Sequence, residues 1–310
     1  MTARCIGLIG LGRMGLPLCR RLVDTGFAVT ASDLRPEVSD EVTALGADWT
    51  ASGGEAAERS DVLITLLPGP GEVRSVLPQV APQLASSATW IEMSSATPAV
   101  ARAIQAAAQT RGFSALDVPV GGNPQAAGEG RLVAFAGGEP AVIDGVAPVL
   151  DSITEQVLHV GAAGCGYAVK LLVNLLWFGQ AVAAAEALAL AERLGVGAET
   201  LRAVVGDSAA ASRFMATDAR ALLAGDDLTT FSLARCCEEL NSVLAMGSEQ
   251  GMTLELASLV EDLHRRALRH YGEVDGELLA ARLIAERAGV SFGSGESSDS
   301  PDSATMGRNG

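Results

Sequence analysis

Three closely spaced glycines, Gly10, Gly12 and Gly15, follow an apolar run at 4–11 and open a helix-patterned stretch at 14–25. Gly26 closes that stretch, and residues 27–32 (Phe-Ala-Val-Thr-Ala-Ser) read as a second strand. A strand, tight turn, helix and strand of this length fold in one common way, as parallel strands joined by a crossover helix. The glycines suit that unit. One allows the tight turn, one lets the backbone approach a pyrophosphate, and one lets the helix pack closely on the strand. The helix N-terminus then presents unpaired N–H groups and a positive dipole end to phosphates.

Strand-like runs recur at 62–67, 89–93, 114–116 and 132–136, with helical stretches at 37–45, 71–86 and 98–111 between them. This alternation predicts an α/β fold with a doubly wound parallel sheet and helices on both faces. Beyond residue 160 the periodicity is helical throughout, at 165–194, 198–206, 212–223, 231–250, 253–269 and 275–288. The expected organisation is a dinucleotide-binding domain over 1–160 and an all-helical domain over 161–290, led by the long helix. The polar, low-complexity tail at 291–310 is expected to be disordered.

Composition narrows the function. Hydrophobic residues make up 48% and aromatic residues only 4%, so the core is aliphatic, as parallel sheets and tight helices favour. A formal charge of −15 argues against nucleic acid as a partner, since that needs a basic stripe. Cys5, Cys19, Cys165, Cys236 and Cys237 have neither disulfide-framework nor metal-ligand spacing, so no metal is expected and the thiols read as reduced. Asn174, Gln180 and Glu186 interrupt the apolar run at 171–191, which argues against a membrane span. A cytoplasmic location follows. His159, His264 and His270 read as surface residues.

Lys170 is the only lysine in the chain; arginine fills every other basic position. Coding bias explains the scarcity of lysine but not its place. An ammonium can exchange a proton near neutral pH when its surroundings lower its pKa, whereas a guanidinium cannot. Asn174, one helical turn on, shares its face. At the other end of the chain Asp33 follows the second strand, 18 residues after Gly15, where a carboxylate can accept both ribose hydroxyls and repel a 2′-phosphate. Arg35 could instead pair with such a phosphate. Because the arginine comes two residues later, NAD is favoured over NADP.

Taken together, these residues resemble the β-hydroxyacid dehydrogenase family, which includes 3-hydroxyisobutyrate dehydrogenase, tartronate semialdehyde reductase and the glyoxylate/succinic semialdehyde reductases. The resemblance spans about residues 4–288 and rests on motifs at 7–15, 60–68, 92–98, 117–123 and 161–174. It implies a Rossmann domain followed by a helical domain, with hydride transfer between a nicotinamide and a small hydroxy or carbonyl substrate. Lys170 is then the general acid/base, and Asn174 holds the substrate or the lysine in register. The carried-over cofactor residues are Gly10, Gly12, Arg13, Met14, Gly15, Asp33, Leu67, Pro68 and Ser94. Those for substrate are Ser95, Gly121, Gly122, Asn123 and Phe231. The family assembles as homodimers or homotetramers, which is the expectation here.

The chain departs from the family pattern in two places. Gly121 stands where the family has a serine and Asn123 where it has a glycine, while Glu238 and Glu239 replace a Lys-Asp pair. Two readings compete: drift, with Glu238 solvated and Arg235 taking over the charge, or a substrate other than a small 3-hydroxycarboxylate. An imine reductase, which acts on C=N bonds and usually lacks this lysine, is the alternative enzyme. A dinucleotide-binding sensor or scaffold is the alternative outside catalysis.

Overall fold

The computed structural model describes residues 4–293; the tail expected to be disordered lies outside the described residues from 294 onward. Two compact units are formed. The first holds the residues up to Leu175 together with Ser242–Gly251, and the second holds Leu176–Asn241 and the residues from Met252 onward.

The first unit begins with β1 (Cys5–Ile9), α1 (Gly15–Asp24), β2 (Ala28–Ser32), α2 (Ser39–Ala44), β3 (Asp48–Trp49) and α3 (Gly53–Glu58). There follow β4 (Val62–Thr65), α4 (Pro70–Val80), β5 (Thr89–Glu92), α5 (Pro98–Arg111), β6 (Ser114–Asp117), β7 (Val120–Gly121), α6 (Pro124–Glu129), β8 (Leu132–Gly137), α7 (Pro140–Ile153) and β9 (Thr154–Gly161). Six strands run parallel in the order β3-β2-β1-β4-β5-β6. Side-chain alternation supplies two cores. Leu8, Ile64, Ile91 and Leu116 join one apolar layer with Leu18, Leu22 and Leu150 of α1 and α7. Ile9, Leu63, Trp90 and Ala115 join the opposite layer with Val73, Val80 and Ile104 of α4 and α5. Strands buried on both faces need this continuous apolar character.

The sheet departs from the expected parallel pattern at one end. β8 runs antiparallel to β6, pairing Asp117 with Gly137. The chain folds back through β7 and α6, and Val120 and Gly121 pair antiparallel with Ala134 and Val133. That return fixes the direction of β8. β9 then pairs parallel with β8.

α8 (Cys165–Arg193) leaves the first unit and continues into the second. The second unit adds α9 (Ala198–Gly206), a π-turn at Phe214–Asp218, α10 (Ala219–Ala224), α11 (Leu233–Glu249), α12 (Glu255–Tyr271) and α13 (Leu279–Arg287). Its core centres on Ala185, Leu188, Phe214, Leu222 and Leu278. The stretch expected as one helix at 212–223 is split by the π-turn, which widens the coil before α10.

Asp117, the last residue of β6, holds the start of α8. Its Oδ1 accepts the Gly164 N–H at 2.7 Å and its Oδ2 accepts the Tyr167 N–H at 3.1 Å. A carboxylate there satisfies N–H groups that no helical carbonyl can reach, and it meets the positive end of the helix dipole. Two glycines give it room. A Cβ on Gly137 would lie 2.7 Å from Asp117 Oδ2, and one on Gly166 would lie 2.5 Å from the Asp117 and Phe135 carbonyl oxygens. Backbone cannot yield to a methyl as a flexible side chain would. Gly166→Ala should therefore cost at least about 1–3 kcal/mol of stability, read as a lower denaturant midpoint; an unchanged midpoint would contradict this packing.

Candidate active site

The turn between β1 and α1 is built by two of its glycines and left open at the third. Gly10 has φ +97°, and a Cβ there would lie 2.3 Å from the Leu66 carbonyl oxygen. A Cβ on Gly15 would lie 1.9 Å from the Gly10 carbonyl oxygen, so the turn closes only without side chains. Gly12 differs, because a Cβ there meets nothing within 4 Å. That space lies where a phosphate would approach the backbone. α1 has no side-chain cap and no acidic residue in its first turn, so its leading N–H groups suit an anion. Arg13 is exposed and Met14 half-buried beside them. The donors and the space fit a dinucleotide pyrophosphate.

Asp33 sits at the carboxyl end of β2 beside this turn. Its Oδ2 accepts the Leu11 N–H at 2.7 Å, and its Oδ1 accepts Arg35 Nε at 3.0 Å. Arg35 also donates to the Leu11 carbonyl oxygen at 3.0 Å. Partial burial works against the Asp33 carboxylate, but hydrogen bonds from Arg35 and Leu11 outweigh it and hold the carboxyl below its ordinary range. The arginine is thus engaged with the Asp33 carboxylate.

A buried polar cluster lies at the ends of β4 and β5. Glu92 is fully buried and is the acceptor on which this cluster converges. Its Oε1 accepts the Thr65 hydroxyl at 3.2 Å and the Ser94 hydroxyl, and its Oε2 accepts the Tyr167 hydroxyl. The Ser94 N–H reaches both oxygens at 3.2 Å. Leu67 N–H donates to Ser94 Oγ at 2.8 Å, tying the Leu67-Pro68 loop to the Ser94-Ser95 turn. Pro68 is exposed, and Leu67 and Ser95 are half-buried. Burial pushes Glu92 up to about 7, against the pull of the bonds from Ser94, Tyr167 and Thr65. Burial likewise pushes Asp117 up to about 6, against its backbone donors. Motif spacing alone did not mark Glu92 or Tyr167. The available signal was a carboxylate inside an otherwise apolar strand.

Lys170 and Asn174 are half-buried and belong to the first unit, in the opening turns of α8 that Asp117 anchors. Tyr167 precedes Lys170 by three residues, so the two are neighbours on the helix surface. Gly121 is half-buried in β7, and Gly122, with φ +134°, follows it. Asn123 caps α6: its Oδ1 accepts the Ala126 N–H at 2.9 Å. Its substitution for glycine therefore has a local structural reason. Phe231 lies in the second unit, half-buried just before α11. On that helix Glu238 is exposed and pairs with Arg235 Nη1 at 2.6 Å, while Glu239 is buried. His264 is not the surface residue expected from its polar neighbours. It is fully buried, bonded through Nδ1 to the Val260 carbonyl oxygen at 2.8 Å and packed edge-on to Phe178. Among the described residues no cluster of His, Cys, Asp and Glu is arranged to hold a metal.

Sheet order, glycine turn and terminal carboxylate define a dinucleotide-binding domain of the Rossmann type. Residues 5–161 match the family described as the NAD binding domain of 6-phosphogluconate dehydrogenase. Residues 164–284 match the NAD-binding region of NADP-dependent 3-hydroxyisobutyrate dehydrogenase. The 2-(hydroxymethyl)glutarate dehydrogenase of Eubacterium barkeri is 31% identical over 262 residues, 83% of this chain and 87% of that protein. The solved structure of Mycobacterium tuberculosis 3-hydroxyisobutyrate dehydrogenase with L-serine superposes with a TM-score of 0.84 at 28% identity, covering 91% of this chain and 99% of that one. An imine reductase variant from Myxococcus stipitatus, in complex with NAD+, gives a TM-score of 0.63 at 22% identity over 90% of this chain and 98% of that one, a likeness of fold alone. The chain belongs to the 3-hydroxyisobutyrate dehydrogenase-like β-hydroxyacid dehydrogenases, NAD(P)-dependent oxidoreductases that act on CH–OH groups.

The raised carboxyls affect stability as well as chemistry. Ordinary values are 4.5 for glutamate and 3.8 for aspartate, so the folded protein binds more protons than the unfolded chain between those values and about 7 and 6. The stability they contribute is complete at the acid end of that window and is lost as pH rises through it. Glu92→Gln should flatten the fall in melting temperature between about pH 5 and 7; a slope as steep as wild type would show that Glu92 is not its source.

Proposed function

We propose that the chain interconverts a small hydroxyacid and its carbonyl partner, with Lys170 as the general acid/base and NAD as the preferred coenzyme. The carrying observation is that the sole lysine occupies an opening turn of α8, on the unit that also holds the glycine turn and the Asp33 carboxylate. The bound coenzyme supplies or accepts the hydride. Lys170 holds a proton on Nζ and delivers it to the carbonyl oxygen as that oxygen gains negative charge. In the oxidative direction the neutral amine takes the proton from the substrate hydroxyl. Asn174, one turn on, orients the lysine or the substrate.

Ser95, Gly121, Gly122, Asn123 and Phe231 are the proposed substrate contacts. Asn123 Oδ1 is committed to its cap, so the Asn123 amide nitrogen is the side-chain group it would offer. Gly121 supplies no hydroxyl, although a Cβ there would make only ordinary contact with Phe135 at 3.8 Å. The Arg235–Glu238 pair supports drift in α11 as the account of Glu238. Because Arg35 pairs with Asp33, it does not stand free for a 2′-phosphate, which favours NAD.

We further propose a homodimer or homotetramer in the cytoplasm. α8 is long and apolar enough to cross a membrane by length and composition. Its Leu176 and Leu190, and Leu194 just beyond its end, are 63%, 59% and 70% exposed, and a second copy covering them would contribute about 25 cal/mol per Å² of apolar surface buried. Sedimentation equilibrium giving a monomer would remove that part.

The deciding assay is a panel of carbonyls and hydroxyacids with NADH or NADPH and their oxidised forms. NAD(H) should give the faster turnover. Lys170→Ala should lower kcat by about 10²–10⁴-fold and leave coenzyme affinity within a factor of about two. Turnover retained in that variant would exclude Lys170 as the proton carrier.

A further inference from the structure

We propose that Glu92 and Tyr167 form a positioning latch that fixes the rotation of α8, and with it the direction in which Lys170 leaves the helix relative to the Ser94-Ser95 turn. This rests on the assignment of Lys170 as the proton carrier. Asp117 fixes where α8 begins through two backbone N–H groups close to the axis, and a side-chain bond further from the axis resists rotation with a longer lever. Tyr167 provides such a bond. Its ring is fully buried in the layer that contains Trp90 and Ile104, and its hydroxyl donates to Glu92 Oε2.

Donor order in the cluster fixes Glu92 as the common acceptor. Trp90 Nε1 donates to Thr65 Oγ1 at 2.8 Å, so the Thr65 hydroxyl proton turns to Glu92. Leu67 N–H donates to Ser94 Oγ, so the Ser94 hydroxyl proton turns to Glu92 as well. Tyr167 completes the set. One carboxylate therefore ties together β4, the Leu67 loop, the Ser94 turn and the helix of Lys170. Where Glu92 is ionised, the hydrogen bonds it accepts are short and strong, which suits a fixed joint. Protonating Glu92 converts an acceptor site into a donor, and one of the converging hydroxyls must then turn away.

The lever is short and sensitive. Tyr167 and Lys170 are three residues apart, about 4.5 Å along the axis. A group about 6 Å from a helix axis moves by about 1 Å for a 10° rotation. A misplacement of about 1 Å can cost about a hundredfold in rate. Losing the Tyr167 bond while the ring stays packed should release part of that rotation.

The test uses Tyr167→Phe, which removes only Oη, together with Glu92→Gln and the double variant. Lys170 being the only lysine, reductive [13C]methylation gives one dimethyllysine resonance, separate from that of the N-terminal amine. Tyr167→Phe should lower kcat about tenfold, change coenzyme KM less than about twofold, and move that resonance. The acid limb of the kcat–pH profile should shift in both single variants. The double variant should be no worse than the poorer single, because both remove one joint. Wild-type kcat with an unmoved lysine resonance in Tyr167→Phe would overturn the latch, as would multiplicative losses in the double variant. If Glu92→Gln does not fold, Tyr167→Phe decides alone. If Lys170→Ala keeps its turnover while Tyr167→Phe still shifts the lysine resonance, the proton-carrier assignment fails and the latch stands.

Discussion

A carboxylate at the end of β6 meets the N-terminus of α8, and the placement of the site follows from that contact. Asp117 closes the strand and caps the helix at once, through Gly164 N–H and Tyr167 N–H. Hydrogen bonds to a charged group contribute about 1.5–3 kcal/mol each where well formed. Burial opposes them, and the Asp117 value of about 6 shows that the opposition is the larger effect on the proton. The balance is tolerable because Gly137 and Gly166 let the backbone approach without a methyl in the way. A larger residue at either position would separate the strand end from the helix that carries Lys170.

Close backbone approach also divides the glycines of the first turn. Gly10 and Gly15 are required by the protein's own packing, since a Cβ on either would strike backbone. Gly12 is under no such internal demand; the space beside it suits an approaching phosphate. Two structural glycines thus frame one that leaves open space. Asp33 and Arg35 extend the division, because their ion pair holds in place the carboxylate beside which a ribose would sit.

Legibility followed periodicity. β1, α1, β2, α5, α8 and α9 stand within a few residues of the positions expected from apolar spacing, because each has a clear period and a glycine or proline boundary. α7 was hidden by Gly145 and Pro148 inside its span, and α6 by its six-residue length. β9 (Thr-Glu-Gln-Val-Leu-His-Val-Gly) has no polar–apolar alternation, so period could not announce it. Side chains were harder still. His264 sits among arginines in the chain yet faces the core, since α12 is amphipathic and buries Val260, His264 and Ala267 together. Asn123 also caps α6, a role that depends on where that helix begins. Glu92 needed three dimensions, for its partners come from Thr65, Ser94 and Tyr167.

The arginines clarify why one lysine matters. Arg35 pairs with Asp33, Arg235 with Glu238 and Arg282 with Asp227. In each pair the work is done by a permanent charge with directional N–H groups, and arginine does it as well as lysine or better. A chain biased toward arginine can lose lysine from all such places without penalty. Proton transfer is the exception, because the group must exist in both protonation states near the working pH. Lys170 lies where α8 leaves the sheet, behind an anchored helix end and beside a tyrosine bonded to a buried carboxylate. The proposed role as proton carrier asks for fixed geometry and an exchangeable proton at one residue, and a guanidinium there could supply only the first.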